Sequence, residues 1–204
     1  PEQDGSHIHY TDLTPDNRLA VIDLGSDKVY VYNVSDAGQL SEQSVLTMEA
    51  GFGPRHLVFS PDGQYAFLAG ELSSQIASLK YDAQTGAFTQ LGIVKTIPAD
   101  YTAHNGAAAI RLSHDGHFLY VSNRGYNTLA VFAVTADGHF TLIQQISTEG
   151  DFPRDFDLDP TEAFVVVVNQ NTDNATLYAR DLTSGKLSLL QKDVTVPEGV
   201  CVRF

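Results

Sequence analysis

The stretch HLVFSPDGQYAFLAGEL (His56–Leu72) decides the fold. An apolar run enters a tight polar turn, SPDG, and a second apolar run leaves it. The same phrase occurs three more times, as His9–Asn17 into LAVIDL, Ala108–Gly116 into FLYVSNRG, and Phe156–Ala163 into FVVVVNQN. The turn tetrads TPDN, SPDG, SHDG and DPTE begin at Thr14, Ser60, Ser113 and Asp159, so the repeat is 46, 53 and 46 residues long. A period of roughly 40–50 residues with several short strands per unit is the mark of a β-propeller, each unit being one blade stacked on its neighbours.

The repeat also orders the strands within a blade. The two apolar runs are strands A and B. Polar residues follow (GSDK, LSSQ, RGYN, NTDN), then a third strand, C (VYVYNV, IASLKY, LAVFAV, ATLYAR). A Gly-bearing turn (DAGQ, QTGA, ADGH, TSGK) leads to the fourth strand, D. Strands A and B are mostly apolar, as expected when both faces are buried, whereas C and D alternate as expected nearer the rim. Gly, Asp and Asn sit where tight turns need positive φ or local side-chain capping. No stretch holds a helical period.

The reading is therefore all-β, a propeller of four-stranded antiparallel blades filling residues 1–204 as one portion. The blades are expected at about 7–50, 54–98, 105–149 and 153–196, with one further A strand over 198–204 in PEGVCVRF. A lone inner strand without B, C and D predicts a larger ring whose first strands lie upstream. A closed four-bladed propeller is the alternative. The start, PEQDGSH, is neither a signal peptide nor an initiator, which also places the natural N-terminus upstream. Open blade edges would then be available for self-association.

Composition narrows the partners. With 12 Lys and Arg against 25 Asp and Glu, the net charge is −13, which disfavours nucleic acid and anionic membrane. No apolar run approaches the roughly 20 residues that span a bilayer. The single Cys201 permits no intrachain disulfide and suits a cytoplasmic location. No CxxC, HExxH or P-loop pattern occurs, and the PDG turns are turn chemistry rather than metal loops.

Blade topology marks a site. In an up-and-down blade the start of A and the end of B lie at the same end, so these positions converge at one mouth of the central channel. They carry His7, His9, Arg55, His56, Glu71, Arg124, Arg154 and Asp155. Arginines gathered there in an acidic chain suit an anionic ligand, because the guanidinium pairs with phosphate or carboxylate in a planar, bidentate way. By strand alternation His56 should point away from Arg55 and serve packing. His104, His114, His117 and His139 fall in loops or turns and read as solvent-facing.

The stretches SHIHYTDLTPDN, DLGSDKVYVY, GFGPRHLVFSPDG, GEL, SNRGYNTLAVFAV, FPRDFDLDP and VVNQNTDN together closely resemble the bacterial 6-phosphogluconolactonase family of seven-bladed propellers. That family also resembles the carboxy-muconate lactonizing enzymes. The match covers essentially the whole chain and falls on the C-terminal part of the family's pattern. The resemblance implies a lactonase of the pentose phosphate pathway that needs no cofactor and no metal and takes a small anionic sugar lactone. The family's site residues map onto a His of SHIH (His7 or His9), Arg55, Glu71 and Arg124, with Arg154 a further candidate for phosphate. A lactone-forming or lactone-opening enzyme of another organic acid, or a non-catalytic propeller binding an anion, would use the same residues. The chain departs from the family at Ala109, where an acidic residue is common, at Gly70 before Glu71, and in the DPTE turn.

Overall fold

The computed structural model describes residues 2–204. Four separate four-stranded antiparallel sheets follow one another, each with its strands in chain order. The first blade is β1 (Ile8–Leu13), β2 (Leu19–Asp23), β3 (Lys28–Val34) and β4 (Leu40–Thr47). The second is β5 (Pro54–Phe59), β6 (Tyr65–Gly70), β7 (Gln75–Asp82) and β8 (Ala87–Lys95). The third is β9 (Gly106–Leu112), β10 (Phe118–Arg124), β11 (Thr128–Val134) and β12 (Phe140–Ser147). The fourth is β13 (Pro153–Leu158), β14 (Phe164–Asn169), β15 (Asn174–Arg180) and β16 (Leu187–Thr195). Among the described residues there is no helix.

A blade buries its apolar side chains only by stacking on another blade. Three cores result, each between consecutive blades. Ile22, Val29, Leu57, Leu68 and Leu79 join the first and second blades. Phe67, Ile76, Ile110, Val121 and Phe132 join the second and third. Tyr120, Val131, Phe156, Val167 and Tyr178 join the third and fourth. Strand β10, between two neighbours, is buried at every position. Strand β1 lies outside these stacks, and only Tyr10 of it is half-buried. The expectation that every A strand is buried on both faces therefore fails at β1, because no further blade covers it among the described residues.

A repeated staple sets the spacing between blades. The residue just before each C strand is left-handed: Asp27, Ser74, Asn127 and Asp173 have φ of 56°, 53°, 54° and 53°. Each backbone carbonyl accepts the N–H of a residue just after the D strand, Met48, Thr96, Thr148 and Val196 in turn. The side chains then cap the loop leading into the next A strand. Asp27 Oδ1 accepts the Gly53 N–H at 2.7 Å, Asn127 Oδ1 the Phe152 N–H at 3.1 Å, and Asp173 Oδ1 the Glu198 N–H at 2.8 Å.

The last staple corrects the expected terminal strand. Residues 198–204 begin with the same cap, but they form no strand. An A strand is held by the ladder to its own B strand, and no B strand pairs with this segment. It is held instead by side chains of β13, through the Val202 N–H to Asp155 Oδ2 (2.9 Å) and Arg203 to Asp157 (3.6 Å).

Candidate active site

Each A strand carries a β-bulge near its start. In β1 the pairing skips from Ile8 to Tyr10, in β5 from Pro54 to His56, and in β13 from Pro153 to Asp155. The extra residues are His9, Arg55 and Arg154. In β9 the two residues opposite Ser122 are Ala108 and Ala109. A bulge breaks strict alternation and re-aims the side chain it carries. It therefore delivers the imidazole and two of the arginines to the mouth from equivalent places in three blades.

The ends of the B strands supply the rest. Glu71, the residue after β6, lies with Oε2 2.8 Å from Arg55 Nε and Oε1 2.7 Å from Arg124 Nη2. One carboxylate thus bridges a guanidinium of its own blade and one of the next. Both arginine side chains are nearly inaccessible, at 3% and 8% exposure, against 19% for Glu71. The Arg55 Nε–H is buried without a well-aligned hydrogen bond, so its contact with Glu71 is mainly Coulombic. Burial, then the nearby Arg124 charge, lowers the Arg55 pKa to about 10, which leaves it cationic at neutral pH.

Gly106 makes the close approach of Arg124 feasible. A Cβ there would stand 2.9 Å from Arg124 Nη2. On its other side the Arg124 guanidinium lies 5.0 Å from the centre of the Phe152 ring. Arg154 has a neutral partner, donating from Nη1 to Gln170 Oε1 at 3.4 Å. Three guanidiniums gather around Glu71 at this mouth in a chain of net charge −13, and Glu2 lines the small cavity beside Arg124.

His9 and His56 complete the group. Their rings lie 5.0 Å apart, edge to face, and Tyr10 packs on His56 at the same distance. Arg55 Nη1 is 3.3 Å from both ring nitrogens of His56. The expectation that His56 turns away is thus corrected: the bulge at Arg55 puts neighbouring side chains together. Partial burial of the ring, then Arg55, lowers the His9 pKa to about 4, with Glu71 opposing and Arg124 and Arg154 adding to the shift. Deeper burial and Arg55 lower His56 to about 2. Both imidazoles are neutral at pH 7.

His7 is elsewhere. It precedes β1, its side chain is half exposed, and its Nε2 contacts Asp4 at 2.8 Å. Of the two SHIH histidines only His9 joins the arginines. Asp155, placed at the mouth by its sequence position, pairs instead with Arg111 at 3.0 Å. There Arg111 also pairs with Asp157, and Asp155, Tyr10, His56 and Cys201 line a cleft of about 670 Å³. A smaller cavity of about 190 Å³ is lined by Glu71, Gly106, Arg124 and Phe152.

A histidine beside a buried arginine–carboxylate–arginine bridge at a propeller mouth narrows the family, and sequence comparison decides it. The model of the family described as "Lactonase, 7-bladed beta-propeller" matches residues 1–204. This chain belongs to that lactonase family. A Bacillus subtilis relative named 6-phosphogluconolactonase is 42% identical over 204 residues, which cover 99% of this chain and 58% of that protein. A solved structure from Lactobacillus plantarum is 99% identical, with a TM-score of 0.98 over all of this chain and 60% of that one. The periplasmic gluconolactonase of Pseudomonas aeruginosa is 38% identical, with a TM-score of 0.91 over 97% of this chain and 56% of that one. The chain thus spans about three fifths of the length of the curated relatives it matches.

Within this chain, the site residues that sequence reasoning overlooks are Phe152, Gly106 and Gln170, and it assigns His56 to packing. Only Phe152 left a usable signal. It stands in GDFPRD where the second blade has glycine in GFGPRH, a bulky residue at a glycine position of the repeat.

Proposed function

We propose that this protein hydrolyses a phosphorylated sugar lactone, 6-phosphoglucono-1,5-lactone, to the open-chain acid in the cytoplasm, within the pentose phosphate pathway. The observation that carries the reading is the mouth itself: a neutral imidazole, His9, within electrostatic reach of three arginines, two of which share Glu71. Arg154, whose Nη1 donates to the neutral Gln170, suits the phosphate, which the guanidinium can grip bidentately. The 42% identity to the Bacillus 6-phosphogluconolactonase supports the same substrate class.

The chemistry is ester hydrolysis by water. His9 takes a proton as the water oxygen bonds to the lactone carbonyl carbon. The carbonyl oxygen becomes an oxyanion, which Arg55 and Arg124 stabilise from fixed positions. The ring C–O bond then breaks and the leaving oxygen takes the proton from His9. The product is a hydroxy acid that ionises to its carboxylate. Glu71 acts as a positioning residue, since both its oxygens face guanidiniums. An arriving phosphate offsets the arginine charge that depresses His9, and so raises the basicity of the imidazole when substrate is present. The scheme uses no metal ion and no cofactor.

The test is a parallel assay of the full-length protein on 6-phosphoglucono-1,5-lactone and glucono-1,5-lactone, each corrected for spontaneous opening. The reading expects a higher kcat/KM for the phosphorylated substrate and loss of that preference in Arg154→Ala. Equal use of both lactones would contradict the phosphate assignment.

A further inference from the structure

Phe152 has a backbone φ of +64°, a left-handed conformation that a bulky L-residue rarely adopts. Gly53 occupies the same position in the second blade with φ of +63°, capped by Asp27 as Phe152 is capped by Asn127. The same capped position after the fourth blade holds Glu198, with φ of +46°. The two loops, GFGPRH and GDFPRD, share that cap and a carbonyl that accepts the N–H of the residue after strand B, Glu71 or Gln170, and they hold glycine or phenylalanine at the strained point.

The surroundings force the conformation on Phe152. Besides the Asn127 cap, its carbonyl accepts the Gln170 N–H at 3.0 Å. The preceding Asp151 is clamped on both carboxylate oxygens, by Asn127 Nδ2 and Asn171 Nδ2, each at 2.8 Å. A strained residue held this firmly at a site is a candidate for function. Its ring is the one on which the Arg124 guanidinium rests, and it lines the small cavity with Glu71, Gly106 and Arg124. Glu71 and the Gly106 carbonyl hold the guanidinium from other sides.

We propose that Phe152 is a positioning residue for the lactonase reaction, its ring face fixing the Arg124 guanidinium at the mouth through a cation–π contact. The role deepens the proposed function and rests on it. It explains why the fourth blade carries a phenylalanine where a glycine would fold without strain.

The test uses the full-length protein with Phe152→Gly, Phe152→Leu and Phe152→Tyr, reading kcat/KM on 6-phosphoglucono-1,5-lactone together with the melting temperature. Phe152→Gly relieves the backbone and removes the ring, so its melting temperature should match or exceed that of the wild type while kcat/KM falls roughly 3- to 10-fold, the scale of a half-buried cation–π contact. Phe152→Leu should lose as much, and Phe152→Tyr should retain wild-type activity. In an Arg124→Ala background Phe152→Leu should cost nothing further. If the glycine variant fails to fold, the contrast between leucine and tyrosine decides the matter alone. Wild-type kcat/KM in Phe152→Leu, or equal losses in the leucine and tyrosine variants, would overturn this inference while leaving the lactonase reading intact. A wild type without turnover above background would overturn both.

Discussion

Glu71 Oε1 lies 2.7 Å from Arg124 Nη2, so the carboxylate just after strand B of one blade grips the guanidinium that ends strand B of the next. With its other oxygen on Arg55, Glu71 neutralises only half of the charge it orders. The remaining positive charge is held in place before any ligand arrives, which is what stabilisation of a developing oxyanion requires.

Glu71→Gln should damage both stability and activity. It leaves two buried guanidiniums without their counter-charge, a change that costs about 3–5 kcal/mol when a buried pair is broken. Urea unfolding of the full-length protein should show the lowered midpoint, and kcat/KM should fall with it. A glutamine variant as stable as the wild type would show that the bridge is not needed to hold the arginines.

His9→Ala should fold and lose roughly 10²- to 10⁴-fold in kcat/KM, the usual loss of a general base. The free-enzyme pKa of about 4 puts the acid limb of the kcat/KM profile near pH 4, with a plateau through pH 7. Rates measured between pH 3.5 and 8 check this. An acid limb that survives unchanged in His9→Ala would assign the base elsewhere.

Folding stability should fall as the pH is lowered below about 6.5, the ordinary histidine value. The folded-state pKa values of His9 and His56 are depressed to about 4 and about 2. Between 6.5 and 4 the unfolded chain therefore binds protons that the folded protein does not, and stability drops with falling pH. Urea midpoints at pH 7 and pH 5 measure the drop, and the double variant His9→Gln, His56→Gln should lessen it. An unchanged slope in the double variant would contradict the lowered pKa values of these two rings.

The strands were legible because each repeat states them twice, once as an apolar run and once as the turn that ends it. The meeting of Arg55 with Glu71 was legible too, since the start of A and the end of B must share an end of the blade. The bulges were not. Nothing in GPRH distinguishes an inserted residue from a paired one, and so His56 was expected on the wrong side. His7 and His9 look alike in SHIH, yet only His9 lies within β1. Residues 198–204 are apolar enough to read as a strand, but strand formation needs a partner ladder that composition does not reveal. The bridge from Glu71 to Arg124 crosses between blades, and no local pattern encodes it.

Gly53→Ala should destabilise the second blade by about 1–3 kcal/mol, because the left-handed φ is strained for alanine. The new Cβ would also stand 2.5 Å from Leu72 Cγ. Thermal unfolding reads the loss. A neutral effect would show that the loop before β5 relaxes freely, and would weaken the contrast drawn with Phe152.

The central claim is that the preorganised arginines at this mouth open a sugar lactone. Its most direct test is the background-corrected kcat/KM of the full-length wild type and of Arg55→Ala on 6-phosphoglucono-1,5-lactone, with folding of the variant confirmed by its melting transition. The expected result is clear turnover by the wild type and a loss of roughly 10²-fold or more in the variant, the scale of a removed oxyanion contact. A folded Arg55→Ala protein that turns over at the wild-type rate would contradict the claim.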